Sequence, residues 1–504
     1  MFSKVLVANR GEIACRVIRT LREMGLKSVA VCSDIDRAAL HVRMADEVVV
    51  IGEAPAAASY LRADRVLDAA KKTGAQAVHP GYGFLSENAA FSQACADAGI
   101  TFIGPPASAI AAMGSKTASR ERMAKAGVPI VPGATCADVA EARLGAEQLG
   151  YPVMLKASAG GGGKGMRLVH KPEELAAAWD RARSESKKAF GDDTLYLEKA
   201  ILQPRHVEIQ VLGDQHGNVV HLFERDCSIQ RRHQKVVEET PCPALSPDIA
   251  AQMGEIAVKG AKAVGYYSAG TFEFLLDRDK SFYFLEMNTR LQVEHPITEW
   301  ITGVDLVREM VRIAAGEALP FAQHDITRRG ASIECRIYAE DPSNNFLPSP
   351  GKIVHLRTPS GPGVRDDSGA YPGCTISSYY DPLVSKLSVW APDRAQAVAR
   401  MRRALQEYVI TGIRTNLSFH DKLMAHPEFI EGVYDTGFIE RNKEQLMGYA
   451  SVPESDRDAF AVALALAAAR LERTEGKVAA EGSEDASQLS PWIAAHRARR
   501  LQSV

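Results

Sequence analysis

Five polar side chains recur at every second position through Glu286, Asn288, Arg290, Gln292 and Glu294. In an extended segment side chains alternate between faces, so these five would line one wall while Met287, Leu291 and Val293 face a core. Glu273, in the run TFEFLL, can pair alongside. Glu273, Glu286 and Asn288 then offer hard oxygen ligands of the kind that bind Mg²⁺ together with nucleotide phosphates. An amphipathic surface strand shows the same alternation, and the spacing alone leaves both readings open.

A second candidate lies upstream, where Ser158-Ala159-Gly160-Gly161-Gly162-Gly163-Lys164-Gly165 follows the apolar Val153-Met154-Leu155-Lys156. Without β-carbons, backbone N–H groups in such a loop can approach phosphate oxygens. It is not a Walker A loop, because Ser158 stands where the first Gly belongs and Gly165 follows Lys164. A flexible loop without a ligand is the alternative. Lys116, Lys156, His206 and the cluster Gln230-Arg231-Arg232-His233-Gln234-Lys235, beside Glu238 and Glu239, add donors for anions, although a charge run can equally be a solvated face. No Ser/His/Asp or Cys/His arrangement stands out, which disfavours covalent nucleophilic catalysis.

These groups need elements to hold them. The apolar run at 4–8 ends at Asn9-Arg10-Gly11, and Ile13, Val17, Ile18 and Leu21 then recur at helical spacing up to Gly25. Apolar runs at 28–31, 48–51, 75–78 and 101–103, with a helix over 63–73, continue the alternation of a parallel sheet covered by helices. The first turn lacks G-x-G-x-x-G, so dinucleotide binding has only fold-level support. A helix at 114–126 leads to a small region at 130–200. Period-two strands in HVEIQVL, TFEFLL and FYFLEMN and helices at 247–264 and 303–315 predict an α+β unit, followed by another over 331–446 with a helix at 393–407. Beyond 447 the chain turns Ala-, Glu-, Arg- and Ser-rich, predicting a helix and a polar tail.

A chain of 504 residues with 46% hydrophobic and 24% charged residues predicts about two to four folded units rather than a disordered or fibrous protein. A formal charge of -2 gives no global field for nucleic acid. Eight scattered cysteines without a CxxC pair suit reduced thiols, and the opening MFSKVLVANRGE has no signal-peptide pattern. The longest apolar run, 459–469, is short of the roughly 20 residues needed to cross a bilayer. A cytoplasmic protein with no membrane or nucleic-acid partner is expected.

The order of motifs goes further. ANRGEIACRVIR (8–19), HPGYGFLSEN (79–88), IGP (103–105), MGSK (113–116), KASAGGGGKGM (156–166), PRHVEIQVL (204–212), ERDCSIQRRHQKVVEE (224–239), GTFEFL (270–275), EMNTRLQVEHPITE (286–299), ECRIYAEDP (334–342) and FLPSPGKI (346–353) together resemble the biotin carboxylase family of the ATP-grasp superfamily, over roughly 1–446. The resemblance implies an α/β and α+β multidomain chain: an N-terminal Rossmann-like domain at 1–113, an ATP-grasp domain at 114–329 with a mobile lid at about 130–203, and a C-terminal biotin carboxylase domain at 330–446. The tail at 447–504 is left as a docking segment or a solvated tail.

Position by position, the resemblance implies ATP contacts for Lys116, Lys156 and His206, and the adenine edge for Glu198, Lys199 and Ile201, with Leu275 and His233 also among the binding positions. Gly160, Gly161, Gly162 and Gly163 form the lid's phosphate loop. Glu273, Glu286 and Asn288 match metal positions for Mg²⁺ or Mn²⁺. Lys235, Arg290, Gln292 and the Val293 backbone match those that hold bicarbonate, Glu294 the general base, Arg336 the group that stabilises charge on biotin, and Tyr82 a residue near the biotin pocket. Arg16 and Arg19 match a homodimer interface, or are ordinary exposed helix charges. No Met-Lys-Met biotinyl motif occurs, so biotin is expected on a separate carrier protein or domain, with a carboxyltransferase subunit completing an acetyl-CoA or propionyl-CoA carboxylase. The alternatives are a two-subunit pyruvate carboxylase, another ATP-grasp ligase, or an inactive ATP-binding regulatory subunit. Ala159 and an extra residue in DPSNNFLP depart from the family pattern without removing a functional group.

Overall fold

Strand β1 (Lys4–Val7) runs into Asn9 and Arg10, and Gly11 takes the left-handed φ of 66° that starts α1 (Gly11–Glu23). Ile13, Val17, Ile18 and Leu21 are all buried, as their spacing requires of one helix face. The computed structural model describes residues 1–157, 166–190 and 194–447 together with positions 462 and 466, leaving out the side chains of 116, 117, 157, 189 and 190. Residues 1–447 form one unit and 448–504 another.

With β2 (Lys27–Ser33), β3 (Glu47–Gly52), β4 (Ala77–His79) and β5 (Thr101–Phe102), β1 builds a parallel sheet of order β3-β2-β1-β4-β5. Helix α2 spans Ala63–Thr73 and ends on Gly74 at φ 67°. The strand order reverses at β1, so the loops after β1 and β4 meet in a crevice. There Asn9 Nδ2 donates to the carbonyls of Pro80 and Tyr82, both at 2.7 Å.

A four-stranded antiparallel sheet follows, of order β6-β9-β7-β8, from β6 (Gly133–Cys136), β7 (Val153–Ala157), β8 (Arg167–Val169) and β9 (Leu195–Lys199). Its own core includes Val153, Leu155, Trp179 and Leu197. The helix expected at 114–126 is two helices, 107–114 and 116–125. They break at Ser115, whose hydroxyl caps the second by accepting from the Ala118 N–H.

The largest sheet is antiparallel and has eight strands. It contains β10 (Arg205–Gly213), β11 (Val219–Arg231), β12 (Gln234–Thr240), β13 (Ser268–Leu276), β14 (Phe282–Asn288), β15 (Ala331–Tyr338), β16 (Val364–Ser368) and β17 (Leu383–Ala391), in the order β14-β13-β10-β11-β12-β15-β17-β16. One face carries Val207, Ile209, Phe272 and Phe274 into a core shared with α3 (Pro247–Ala263). The other face presents His206, Glu208, Gln210, Thr271 and Glu273, all buried. Period-two alternation therefore separates two buried environments here rather than core from solvent. Across the β12–β15 pairing the same sheet continues into the chain beyond 330. There α4 (His295–Thr302) covers the polar face and α6 (Arg394–Glu407) the apolar one, while α5 (Leu306–Ala314) packs with α1.

All eight cysteines are free thiols, as expected. Among the described residues no helix is long and apolar enough to cross a membrane.

Candidate active site

The polar face of the large sheet forms the floor of a cavity of about 920 Å³, roofed by the sheet of β6 to β9. Its geometry starts from three registers. Glu273 on β13 stands opposite Glu286 on β14, Asn288 stands opposite Thr271, and His206 and Glu208 on β10 face Leu275 and Glu273. Strand pairing therefore gathers carboxylates that are far apart in sequence.

Lys235 at the start of β12 reaches three carboxylates. Its Nζ donates to Glu208 Oε2 at 2.5 Å, Glu273 Oε1 at 2.7 Å and Glu294 Oε1 at 2.7 Å. Asn288 Nδ2 and Gln292 Nε2 donate to the same Glu273 oxygen at 2.8 and 2.9 Å, and His206 Nε2 lies 2.9 Å from Glu273 Oε2. Burial opposes charge on Lys235, but the three carboxylates outweigh it and hold the ammonium well above its ordinary range. His206 is raised in the same way by Glu273 against the burial that would lower it.

The extended wall expected from 286 to 294 is corrected by the structure. β14 ends at Asn288, and the chain then turns, with Glu294 becoming the residue before α4 and Pro296 occupying its first turn. Met287 and Leu291 enter two different cores, and Val293 is half-buried at the cavity rather than in a core. Glu286, Asn288, Arg290, Gln292 and Glu294 line the cavity all the same.

Glu294 is 1% exposed. Besides Lys235 it accepts from Arg336 Nη2 at 2.9 Å, and Arg336 Nε donates to Glu238 Oε1 at 2.6 Å. Burial pushes the Glu294 carboxyl up, but Lys235, Arg336 and Arg225 overcome it and leave it below the ordinary carboxylate range. Glu294 is thus ionised and acceptor-only, and its basicity rises when Lys235 and Arg336 turn to another anion. Arg290 donates to Glu87 Oε2 at 2.9 Å and to Asn288 Oδ1 at 3.0 Å.

At the roof, Lys156 Nζ lies 2.5 Å from Glu198 Oε2, and Arg120 pairs with the same carboxylate. Glu198, Lys199, Ile201 and Leu275 line this end beside Met154 and Leu285, an apolar slot with a polar edge. His233 also lines the cavity. It sits with Arg232 in a two-residue loop between the paired Arg231 and Gln234, both loop residues at positive φ (50° and 68°). The charge run at 230–235 is thus a hairpin tip, exposed at Arg232 and His233 and partly buried at the cavity through Gln230 and Lys235. Tyr82 is not among the cavity-lining residues; its hydroxyl contacts Glu12, beside Lys386. Gly160, Gly161, Gly162, Gly163 and the side chain of Lys116 lie outside the described residues, as does the tail at 448–504 apart from positions 462 and 466.

Several groups at the site escaped the sequence reading. Fully buried Arg225 donates to Glu208 at 2.5 Å, Gln210 at 2.7 Å, Thr298 at 2.8 Å and Gln292 at 2.6 Å, and so ties β10, α4 and the turn before it together. Lys386 Nζ donates to the Val293 carbonyl at 2.9 Å. Glu208 was legible, since period two puts it on the His206 face. Arg225 and Lys386 were not, because their partners come from distant segments.

The chain matches "Biotin carboxylase, N-terminal domain" over 1–110, "Carbamoyl-phosphate synthase L chain, ATP binding domain" over 115–322 and "Biotin carboxylase C-terminal domain" over 334–441. It is 54% identical over 445 residues to a biotin carboxylase of Nostoc sp., covering 88% of this chain and all of that one. It is 53% identical over 448 residues to the mitochondrial methylcrotonoyl-CoA carboxylase subunit alpha of Mus musculus, again 88% of this chain but spanning only 62% of that relative's length. The biotin carboxylase domain dimer of the Hydrogenobacter thermophilus 2-oxoglutarate carboxylase, solved with MgADP, ADP and bicarbonate, superposes with a TM-score of 0.83 at 51% identity, covering 90% of this chain and 100% of that one. The fold class is that of biotin carboxylase ATP-grasp domains. The chain belongs to the biotin carboxylase family.

Proposed function

We propose that this chain uses ATP and bicarbonate to carboxylate biotin carried on a separate protein or domain, the first half-reaction of an acyl-CoA carboxylase. The observation that carries the reading is Glu294, buried in the cavity wall and flanked by Lys235 and Arg336. A carboxylate between two cations can surrender both to incoming anions and then accept a proton.

In this reading the apolar slot by Ile201 and Leu275 takes adenine, with Glu198 and Lys199 at its edge, and Lys116, Lys156, His206 and the glycines at 160–163 meet the phosphates. Glu273, Glu286 and Asn288 present oxygen donors from two paired strands, a set that fits Mg²⁺ or Mn²⁺. Such an ion supplies charge neutralisation at the phosphates when bound. Lys235, Arg290, Gln292 and the Val293 backbone hold bicarbonate. Glu294 removes its proton, the freed oxygen attacks the γ-phosphorus, and the bond to the ADP oxygen breaks, leaving carboxyphosphate. Carboxyphosphate splits to CO₂ and phosphate, phosphate takes the proton of the ureido nitrogen, and that nitrogen attacks CO₂. Arg336 stabilises the negative oxygen that develops on biotin, with His233 and Tyr82 on the biotin side.

In this reading the domains span 1–113, 114–329 with the lid at about 130–203, and 330–446. A homodimer, a biotin carrier, a carboxyltransferase subunit and a cytoplasmic location complete the proposal. The dimeric Hydrogenobacter domain supports the first of these. The names of the relatives differ in acceptor, from methylcrotonoyl-CoA to 2-oxoglutarate, so the final acceptor is assigned to another subunit.

ADP release by the purified chain with Mg²⁺ and bicarbonate, with and without free biotin, tests this. Stimulation by biotin that also requires bicarbonate is expected; turnover indifferent to biotin would overturn it in favour of another ATP-grasp ligase.

A further inference from the structure

Two buried carboxyls on the same sheet face have no place in the mechanism above. Glu238 on β12 and Glu334 on β15 stand directly opposite each other in the antiparallel register, and neither is exposed. Opposed residues project from one face with β-carbons about 5 Å apart. Glu238 Oε1 accepts from Arg336 Nε, but Glu238 Oε2 and both Glu334 carboxyl oxygens have no hydrogen-bond partner. Two ionised carboxylates facing each other with three of their four oxygens unpartnered would be strongly unfavourable, whereas one shared proton makes one carboxyl a donor to the other.

The neighbouring charges do not remove that need. Glu238 faces Arg336, Glu294 and Lys235, while Glu334 faces Lys386 on β17, Glu238, Arg336 and Glu294. Beyond β17, Arg365 and Asp367 of β16 bind each other, and Arg365 also binds Glu299 of α4. The buried face of α6 is apolar and lies on the far side of the sheet. Lys386 is itself engaged with Val293 and Glu12. Burial pushes Glu238 up to about 7 and Glu334 well above the ordinary carboxylate range.

We propose that Glu238 and Glu334 share one proton and act as a positioning pair for Arg336, fixing its Nε so that its other N–H groups serve the cavity. The role in turnover rests on the proposed function; the shared proton does not. When the proton is lost at alkaline pH, a second negative charge beside Arg336 weakens its field at the biotin oxygen, so biotin-dependent turnover falls on the alkaline side.

Infrared difference spectra of the full chain decide the proton. Near neutral pH the wild-type minus Glu334→Gln spectrum should hold a protonated-carboxyl C=O band separate from that of buried Glu12, which Glu12→Gln identifies, and the Glu334-dependent band should vanish as pH is raised; no Glu334-dependent band overturns the pair. For the positioning role, Glu238→Gln should lower kcat for biotin-stimulated ADP release about tenfold or more while leaving the KM for ATP within about twofold. Glu334→Gln should move the alkaline limb of the pH profile upward. An unchanged kcat, an unmoved alkaline limb, or losses that track ATP affinity and melting temperature together would overturn it. Were wild type to show no biotin stimulation, the functional reading would fail while the infrared band still decided the shared proton.

Discussion

Glu294 shows how much a single side chain depends on its partners. Alone in a buried wall it would hold its proton; with Lys235 at 2.7 Å and Arg336 at 2.9 Å it is ionised before any substrate arrives. Glu294→Gln keeps the size and removes the base, so kcat for bicarbonate-dependent turnover should fall about 100-fold or more with ATP binding, measured by calorimetry, little changed. Arg336→Ala should slow biotin carboxylation by a similar factor, and loss of ATP affinity in both variants would sink these assignments. Glu286→Gln removes one oxygen donor opposite Glu273, so the Mg²⁺ concentration for half-maximal turnover should rise. An unshifted Mg²⁺ dependence takes Glu286 out of the metal set.

At the level of elements, pairing and capping set where those side chains point. The tight hairpin at 232–233 brings His233, in the turn itself, and Lys235, on the strand that leaves it, to the cavity through a turn that needs positive φ. Helix α3 lies so close to β13 that a β-carbon on Gly260 would come 2.7 Å from the Phe272 ring. Gly260→Ala should therefore destabilise the protein by about 1–3 kcal/mol, read as a lower denaturant midpoint at unchanged slope. Helix α6, which backs the apolar side of β15, starts at Asp393, whose carboxylate accepts from the Gln396 N–H at 2.8 Å. Asp393→Ala should cost about 1 kcal/mol, and an unchanged midpoint would deny the cap that role.

Across the whole 1–447 unit, the N-terminal sheet is tied to the large one by buried charge. Arg16 on α1 is not an ordinary exposed helix charge: it is buried, with Nη2 at 2.8 Å from both Glu299 and Asp305. Arg19 is the exposed one of the two. Arg16→Ala leaves Glu299 with Arg365, so a loss of about 3 kcal/mol, at the lower end for a broken buried pair, is expected. Glu12, next to Tyr82 and Lys386, is pushed by burial from 4.5 up to about 7. Its folded-state pKa is raised, so the folded state binds the extra proton between those values, and stability falls as pH rises through that window. Glu12→Gln should remove this component. The difference in denaturant midpoint between variant and wild type should grow from the acid to the neutral side, and a pH-independent difference would contradict it.

The parallel N-terminal sheet, the helix at 63–73 and the strand FYFLEMN were legible because local hydrophobic periodicity dictates them. Motif order carried the family, and the alternation from Glu286 to Glu294 marked the wall, although Pro296 and the start of α4 replace its second half with a turn. Other features came only from the tertiary structure. The sequence suggested two α+β units where one sheet runs from β14 to β16, because the β12–β15 pairing that joins them links residues about a hundred positions apart. The charge states of Lys235, Glu294 and Glu238 also emerge only there. Burial and partner distance set them, and both exist only once the strands have fixed which side chains share a face.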